Sequence, residues 1–346
     1  MSDKGFDYWA FFVEETRRVN ALLYTRLAQG VADDDGLKAF AANARPGQPH
    51  ANILFGAVHF LLLRGAEHTL KRFYRTLGGG ADSGREDPFP DFREFVNAHR
   101  EELLPIVSSR VTNTNEVGRS ALLHAGFRAL AEEAGAPLHL IELGPSAGMN
   151  MLWDRYGVRY LKDGAAAAEI APDAALTIEC TLRGDLLPPS GATPHVASRL
   201  GLERNPVDLS DAANRDWLKA LVWPDHLARF RQLERALSLY VPGSAPILEG
   251  DALELLPDAL ARAPANETLC VYHTMVTYQF SDAAREALDN LLIAASLRRP
   301  LWRLSLEGTI KGDNPLILHR YRDGLRDKQT LALCGPHGTW IEWQRS

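Results

Sequence analysis

The sequence predicts an α/β fold: a Rossmann-like, mostly parallel sheet with a terminal antiparallel hairpin, preceded by an all-helical N-terminal region. Three observations predict it. From Phe6 to about residue 133, apolar residues such as Phe11, Phe12, Leu22, Leu23 and Leu27 recur at three- and four-residue intervals, the period of amphipathic helices. After Pro137 the pattern changes to short apolar runs at helix-separated intervals, beginning with Leu138–Leu143, which runs into Gly144. Near the C-terminus, residues 330–334 and 339–343 flank Gly335-Pro336-His337-Gly338 and read as an antiparallel pair.

The helical region is expected over 1–134, with the segment 78–90, carrying three consecutive glycines, Pro88 and Pro90, as a loop. The sheet domain is expected over 135–346, with further strands at 196–202, 245–248, 268–273 and 301–306. Five strands alternating with helices and then a hairpin is the element order of a methyltransferase core that binds S-adenosylmethionine (SAM). In that order the hairpin places an antiparallel strand in the parallel sheet. An insertion is expected near 157–194, where 175–183 alternates like a strand and forms a ribbon. The short alanine run Ala165 to Ala168 is the one low-complexity feature.

Composition narrows the class. The chain has 346 residues, 46% of them hydrophobic, enough for a sizeable buried core. A net charge of -6 and a pI near 6.0 argue against a broad grip on nucleic acid, which needs many cationic contacts to phosphate. Cys180, Cys270 and Cys334 are widely spaced and form neither a disulfide framework nor a CxxC zinc pattern, which fits the cytoplasm. Asp3 and Asp7 around Lys4 are unlike a secretory signal. The most apolar run, 53–63, contains His59 and is about half the ~20 residues needed to cross a bilayer, so it reads as a buried helix.

The segment His139 to Asn150 carries most of the chemistry: a strand running into a tight turn, Gly144-Pro145-Ser146-Ala147-Gly148. A dinucleotide turn needs glycine where Ser146 stands, and Pro145 removes an amide donor, so NAD and FAD are disfavoured. SAM carries no phosphate, and the turn need only let its methionine end pass the backbone at Gly144 and Gly148, with Glu142 on the strand leading in. The same five residues spell GxSxG, the nucleophile elbow of α/β-hydrolases, with Ser146 as nucleophile. That elbow normally comes after several strands and an oxyanion loop, whereas everything upstream here is helical. A purely structural turn is the third alternative.

Two further acids occupy cofactor-like positions. Glu203, closing the 196–202 strand, suits a ribose, whose two hydroxyls one carboxylate can accept, although it lies much further from the turn than the usual ~20 residues. Its alternative is a surface carboxylate. Asp251 with Ala252, after the 245–248 strand, suits an adenine held by a side chain and the next backbone amide. Asp251 serves equally as a helix N-cap.

The segments Gln48 to Phe55, Ala57 to Leu63, Thr112 to Arg119, Glu142 to Asn150 with Asp154 to Tyr156, Val222-Trp223-Pro224-Asp225, Gly250 to Ala252 and Gly335 to Gly338 together resemble the bacterial family DUF2332. The resemblance spans nearly the whole chain and implies a SAM-dependent methyltransferase fold with a helical N-terminal region, without naming a substrate. Pro145 stands where a small residue is usual and Glu203 where an aspartate is.

On the substrate side, Asn115, Glu116 and Arg119 are expected to close over the pocket as part of a lid, with an Asn113–Glu116 capping box as the plainer reading. Trp223 to Asp225 reads as a capped helix start whose Trp packs in the core. His273 ends the fourth strand, at the edge where open α/β sheets bind ligands, and is the candidate general base, with Tyr278 to orient it. His50, His59 and His337 lack metal-like spacing with any carboxylate, and no metal is expected. The expected activity is methyl transfer to a small molecule, with a non-catalytic SAM-binding module as the alternative and a hydrolase as the second.

Overall fold

A computed structural model describes residues 7–135, 137–189, 191–308 and 314–344. Asp3, Lys4 and Phe6, on which some of the sequence expectations rest, lie outside them. In chain order the elements are α1 (Tyr8–Arg18), α2 (Leu22–Ala32), α3 (Asp35–Ala41), α4 (His50–Leu63), α5 (Phe89–Ala98), α6 (Arg100–Ser109) and α7 (Ser120–Ala134). Next come β1 (Leu138–Leu143), β2 (Gly157–Lys162), β3 (Ala165–Ile170), β4 (Thr177–Arg183), β5 (Val196–Glu203), α8 (Ala212–Ala220) and α9 (Leu227–Ser238). The last are β6 (Ile247–Glu249), α10 (Ala252–Arg262), β7 (Thr268–Thr274), α11 (Asp282–Ser296), β8 (Leu301–Leu306), β9 (Asn314–Arg322), β10 (Leu325–Cys334) and β11 (Trp340–Trp343). No helix among the described residues is long and apolar enough to cross a membrane.

The chain forms two compact units. The first holds residues 1–114 together with 209–234, and the second holds 115–208 with 235–346. The helical unit is built around α4, whose residues Ile53 to Phe60 are all buried, as the unbroken apolar run predicts. Aromatic rings fill the space around Phe55, with Tyr24 at 4.9 Å and Phe92 at 5.5 Å between centroids. Trp223 packs against Phe12 and Tyr24 in this core, as expected, and its indole N–H donates to Asn52 at 3.2 Å. Asp225 serves another element than the helix start expected for it: its Oδ2 accepts from the amide of Leu23 at 3.1 Å, capping α2 from a distance.

His59 stitches this unit together. Its Nδ1 lies 3.0 Å from the carbonyl of Ala220 and its Nε2 lies 2.8 Å from the Thr76 hydroxyl, so the neutral ring donates at one nitrogen and accepts at the other. Burial, the largest influence, pushes its pKa from 6.5 down to about 4. An unfolded chain therefore binds a proton below pH 6.5 that the folded one refuses until about pH 4. Stability from this group is complete above 6.5 and is lost as pH falls through that window. We expect His59→Leu to cost about 1–3 kcal/mol at pH 7, by leaving the Thr76 and Ala220 groups unpaired. Urea melts across the window should show a shallower pH dependence in the variant, and an unchanged slope would dissociate His59 from acid unfolding.

The second unit is mixed α/β. Among the described residues its eleven strands lie in the order β3-β2-β4-β11-β10-β9-β8-β7-β1-β5-β6. Within it, β6, β5, β1, β7 and β8 are all parallel; after β1 the chain first forms β2, β3 and β4 at the far end of the sheet, then adds β5 and β6 on one side of β1 before adding β7 and β8 on the other. The strand order thus reverses beside β1. Helices α10 and α11 supply the apolar side chains that cover Ile141, Leu143, Leu202, Leu269 and Val271.

Two expectations need correction. The strand that brings antiparallel direction into the sheet is β9, directly next to β8, and the expected terminal hairpin, β10 with β11, lies further out. Strand β9 is concealed by its polar content (His319, Arg320, Arg322), yet a signal exists: Asp323-Gly324 forms the two-residue turn to β10, with φ of 53° and 76°. The insertion is also more than a ribbon, since β2 and β4 pair in parallel and β4 joins β11. A second Asp-Gly turn, Asp163-Gly164 with φ of 52° and 81°, pairs β2 with β3, and the alanine run is this edge strand.

Candidate functional site

The carboxyl ends of β1, β5, β6, β7 and β8 share one edge of the sheet, and the expected residues come from the segments that leave it. β1 is wholly buried, so its chain turns sharply on exit: Gly144, Ser146 and Gly148 have φ of 66°, 57° and 77°, all left-handed. Such a turn costs a non-glycine residue about 1–2 kcal/mol, and Ser146 bears that strain. The turn opens into a 3-10 helix, Met149–Arg155, rather than the α-helix that the motif suggests.

The turn is held from both sides. Glu203 accepts the amide of Ser146 at 2.9 Å on Oε2 and that of Asn205 at 3.0 Å on Oε1. Asn115 donates to the carbonyl of Pro145 at 3.1 Å and accepts from the amide of Met149 at 2.8 Å. Gly144 donates to the carbonyl of Leu202 at 2.9 Å. Ala147 and Asn150 are buried, the latter accepting from the Ser120 hydroxyl at 3.2 Å. Gly148 does not leave the space for a ligand that the motif implies. A Cβ there would meet Ala245 at 2.9 Å, so its glycine serves packing and conformation. We expect Gly148→Ala to lower stability by roughly 1–2 kcal/mol and Gly148→Val to fail to fold normally, which denaturant melts and circular dichroism will report.

Arg119 and Glu116 join the same edge to the loop between β10 and β11. Arg119 donates to the carbonyls of Pro336 at 2.9 Å and Thr274 at 3.1 Å, and Glu116, itself buried, lies 2.9 Å from Nδ1 of His337. A Cβ on Gly338 would run into the carbonyl of Gly118, so these two glycine backbones touch. The three residues expected to form a lid therefore spend their side chains on the backbone and loops of the site itself. Among the described residues, the helix α7 that comes next has no side-chain cap.

Asp251 is the N-cap of α10: its Oδ1 accepts from Leu253 at 2.8 Å and its Oδ2 meets Arg204. The Leu253 amide is the main cause holding this carboxyl below its usual range. Ala252 begins the helix.

Two carboxyl groups at this edge have opposite electrostatics. Glu142 is fully buried, and burial pushes its pKa from 4.5 up to about 8. The Tyr272 hydroxyl at 2.8 Å and the charge of Arg119 offset this in part. Glu307 is also pushed up by burial, but hydrogen bonds outweigh burial and hold it below the usual range. It accepts from His273 Nδ1 at 2.6 Å and from the amides of Val276 at 3.0 Å, Thr277 at 3.1 Å and Tyr278 at 3.1 Å. Sequence reasoning missed Glu307, although an acid next to Gly308 just past a strand end is a readable signal. The group bonded to His273 is thus Glu307. Tyr278 contributes its amide to the same carboxylate, while its side chain is 60% exposed. The His273 ring is buried, and its Nε2 has no hydrogen-bond partner among the described residues.

Because the folded chain keeps the Glu142 proton that an unfolded chain releases above pH 4.5, stability falls as pH rises from there to about 8. We expect Glu142→Gln, which keeps an acceptor for Tyr272, to remove that decline, visible as a widening stability gain over the native chain between pH 5 and 8. Parallel pH profiles in urea would count against a buried neutral carboxyl.

A search among curated proteins finds no match to this chain. The model of DUF2332, described as an uncharacterized protein conserved in bacteria, matches residues 8–343, which include both the helical stitching residues and the whole of this strand edge. The chain belongs to the DUF2332 family.

Proposed function

We propose that this chain binds SAM at the carboxyl ends of β1, β5 and β6 and transfers its methyl group to a small molecule. The observation that carries the reading is the reversal of a parallel strand order beside β1, at the strand whose exit is the left-handed turn clamped by Glu203. A Rossmann-like SAM site has this arrangement of turn and succeeding acids. The fit of the side chains supports it further. A carboxylate has about four lone-pair sites, so Glu203 can accept ribose hydroxyls while keeping the two backbone amides. Glu142, kept neutral by burial, suits an incoming ammonium, whose charge would draw off its proton. Bound there, SAM supplies an electrophilic methyl on a cationic sulfonium.

The protein's part is then alignment and exclusion of water. His273 takes the acceptor's proton at Nε2, the nitrogen that Glu307 leaves unused, once the covering residues move away from it. The buried Nε2 also favours a second reading, a module that binds SAM without chemistry. Against a hydrolase stands the place of the turn: β1 is the first strand of the chain among the described residues, and Ser146 comes directly after it.

Calorimetric titration with S-adenosylhomocysteine should give saturable binding, accompanied near pH 7 by proton release from Glu142, read from the dependence of the heat on buffer ionisation. Absence of binding would remove the cofactor assignment. A fluorophosphonate probe should leave Ser146 unlabelled. With an acceptor found by metabolite screening, His273→Ala should keep the affinity for S-adenosylhomocysteine and lose about a hundredfold or more in turnover. Full turnover in that variant would leave catalysis to positioning alone.

A further inference from the structure

The helical unit holds a cleft of about 540 Å3 between α2 and the 73–83 segment, within the size range of small-molecule sites. Its walls carry three guanidinium groups, Arg17, Arg26 and Arg75, against two carboxylates, Asp82 and Asp225. Arg17 is paired with Glu14, and Arg26 is bonded to the carbonyls of Ser83 and Gly84. Arg75 is exposed, and its guanidinium acts on Asp225 through charge, with no hydrogen bond of its own among the described residues.

The floor is polar and incomplete. Asp225 gives Oδ2 to the Leu23 amide, and burial pushes its carboxyl up against the pull of that bond and of Arg75. The hydroxyls of Tyr24 and Tyr74, both fully buried, both feel the Asp225 charge, and neither has a partner among the described residues. Buried hydroxyls are ordinarily satisfied, so two orphans coupled to one lining carboxylate mark a place where the described groups do not finish the network. Asp225 belongs to the Val222-Trp223-Pro224-Asp225 motif, which the sheet-edge site does not use.

We propose that this cleft binds a small zwitterion, with its phosphate on Arg75 between Arg17 and Arg26 and its ammonium on Asp225. An exposed planar guanidinium is suited to bidentate contact with a phosphate, and a partly buried carboxylate facing a cleft gains most from a cation. This site is independent of the sheet-edge reading, and its test uses neither SAM nor its product.

The experiment is calorimetry of the full chain with phosphoethanolamine and, separately, with inorganic phosphate. Phosphoethanolamine should saturate, with inorganic phosphate at least tenfold weaker. Arg75→Gln should weaken both by at least tenfold, and Asp225→Asn, which keeps an oxygen for the Leu23 amide, should reduce phosphoethanolamine to the level of phosphate. Circular dichroism of both variants verifies that they are folded. No saturation by phosphoethanolamine, equal affinity for the two probes, or undiminished binding by folded Arg75→Gln would each overturn the proposal.

Discussion

Glu203 reaches from the end of β5 to the amide of Ser146, and the geometry of the whole sheet edge depends on that bond. A turn with left-handed backbone at Gly144, Ser146 and Gly148 has little intrinsic stability, because its one side-chain-bearing left-handed residue opposes it. A charge-assisted bond from outside, with Asn115 bridging the two ends of the same turn, supplies what local sequence lacks. The turn then fixes where Glu142 ends and where Met149 begins. Removing either clamp would free a strained segment rather than merely delete a contact.

The two acids flanking this turn show how environment decides charge. Glu142 is met by one phenol and feels the charge of one guanidinium, which cannot replace the water that solvates a carboxylate, and it holds its proton to about pH 8. Glu307 is also largely buried but receives four donors, three of them backbone amides, and stays ionised. One edge of the sheet thus offers a neutral acid at β1 and a charged one at β8, with β7 between them. A neutral acid is ready to give up a proton to an arriving cation, while an ionised acid bonded to His273 Nδ1 selects the tautomer that leaves Nε2 with its lone pair.

In the helical unit, the motif residues are mostly ties. Gln48 accepts from the amide and hydroxyl of Thr112, Asn52 from the indole of Trp223, and His59 bridges α4 to Ala220 and Thr76. Polar groups in a helical core fix which helices are neighbours, because a mismatched partner would leave them buried and unpaired. Asp225 is different, since it both caps α2 and lines an open cleft.

The sequence by itself determined the class of each unit: helical periodicity up to about residue 133, and buried parallel strands from Leu138 whose apolar runs need a partner on both faces. It also identified the tight turn after β1, whose glycines at 144 and 148 take the left-handed backbone that such a turn requires. Local chemistry likewise made Asp251 readable as an N-cap. Tertiary structure alone decided the strand order, the placement of β9, and the partners of each acid. Those partners come from far along the chain, 57 residues in the case of Glu203 with Ser146 and 34 in that of Glu307 with His273, and no local pattern records such a pairing. Whether a buried carboxyl is charged depends on how many donors the folded chain brings to it, and that number exists only once the strands have assembled.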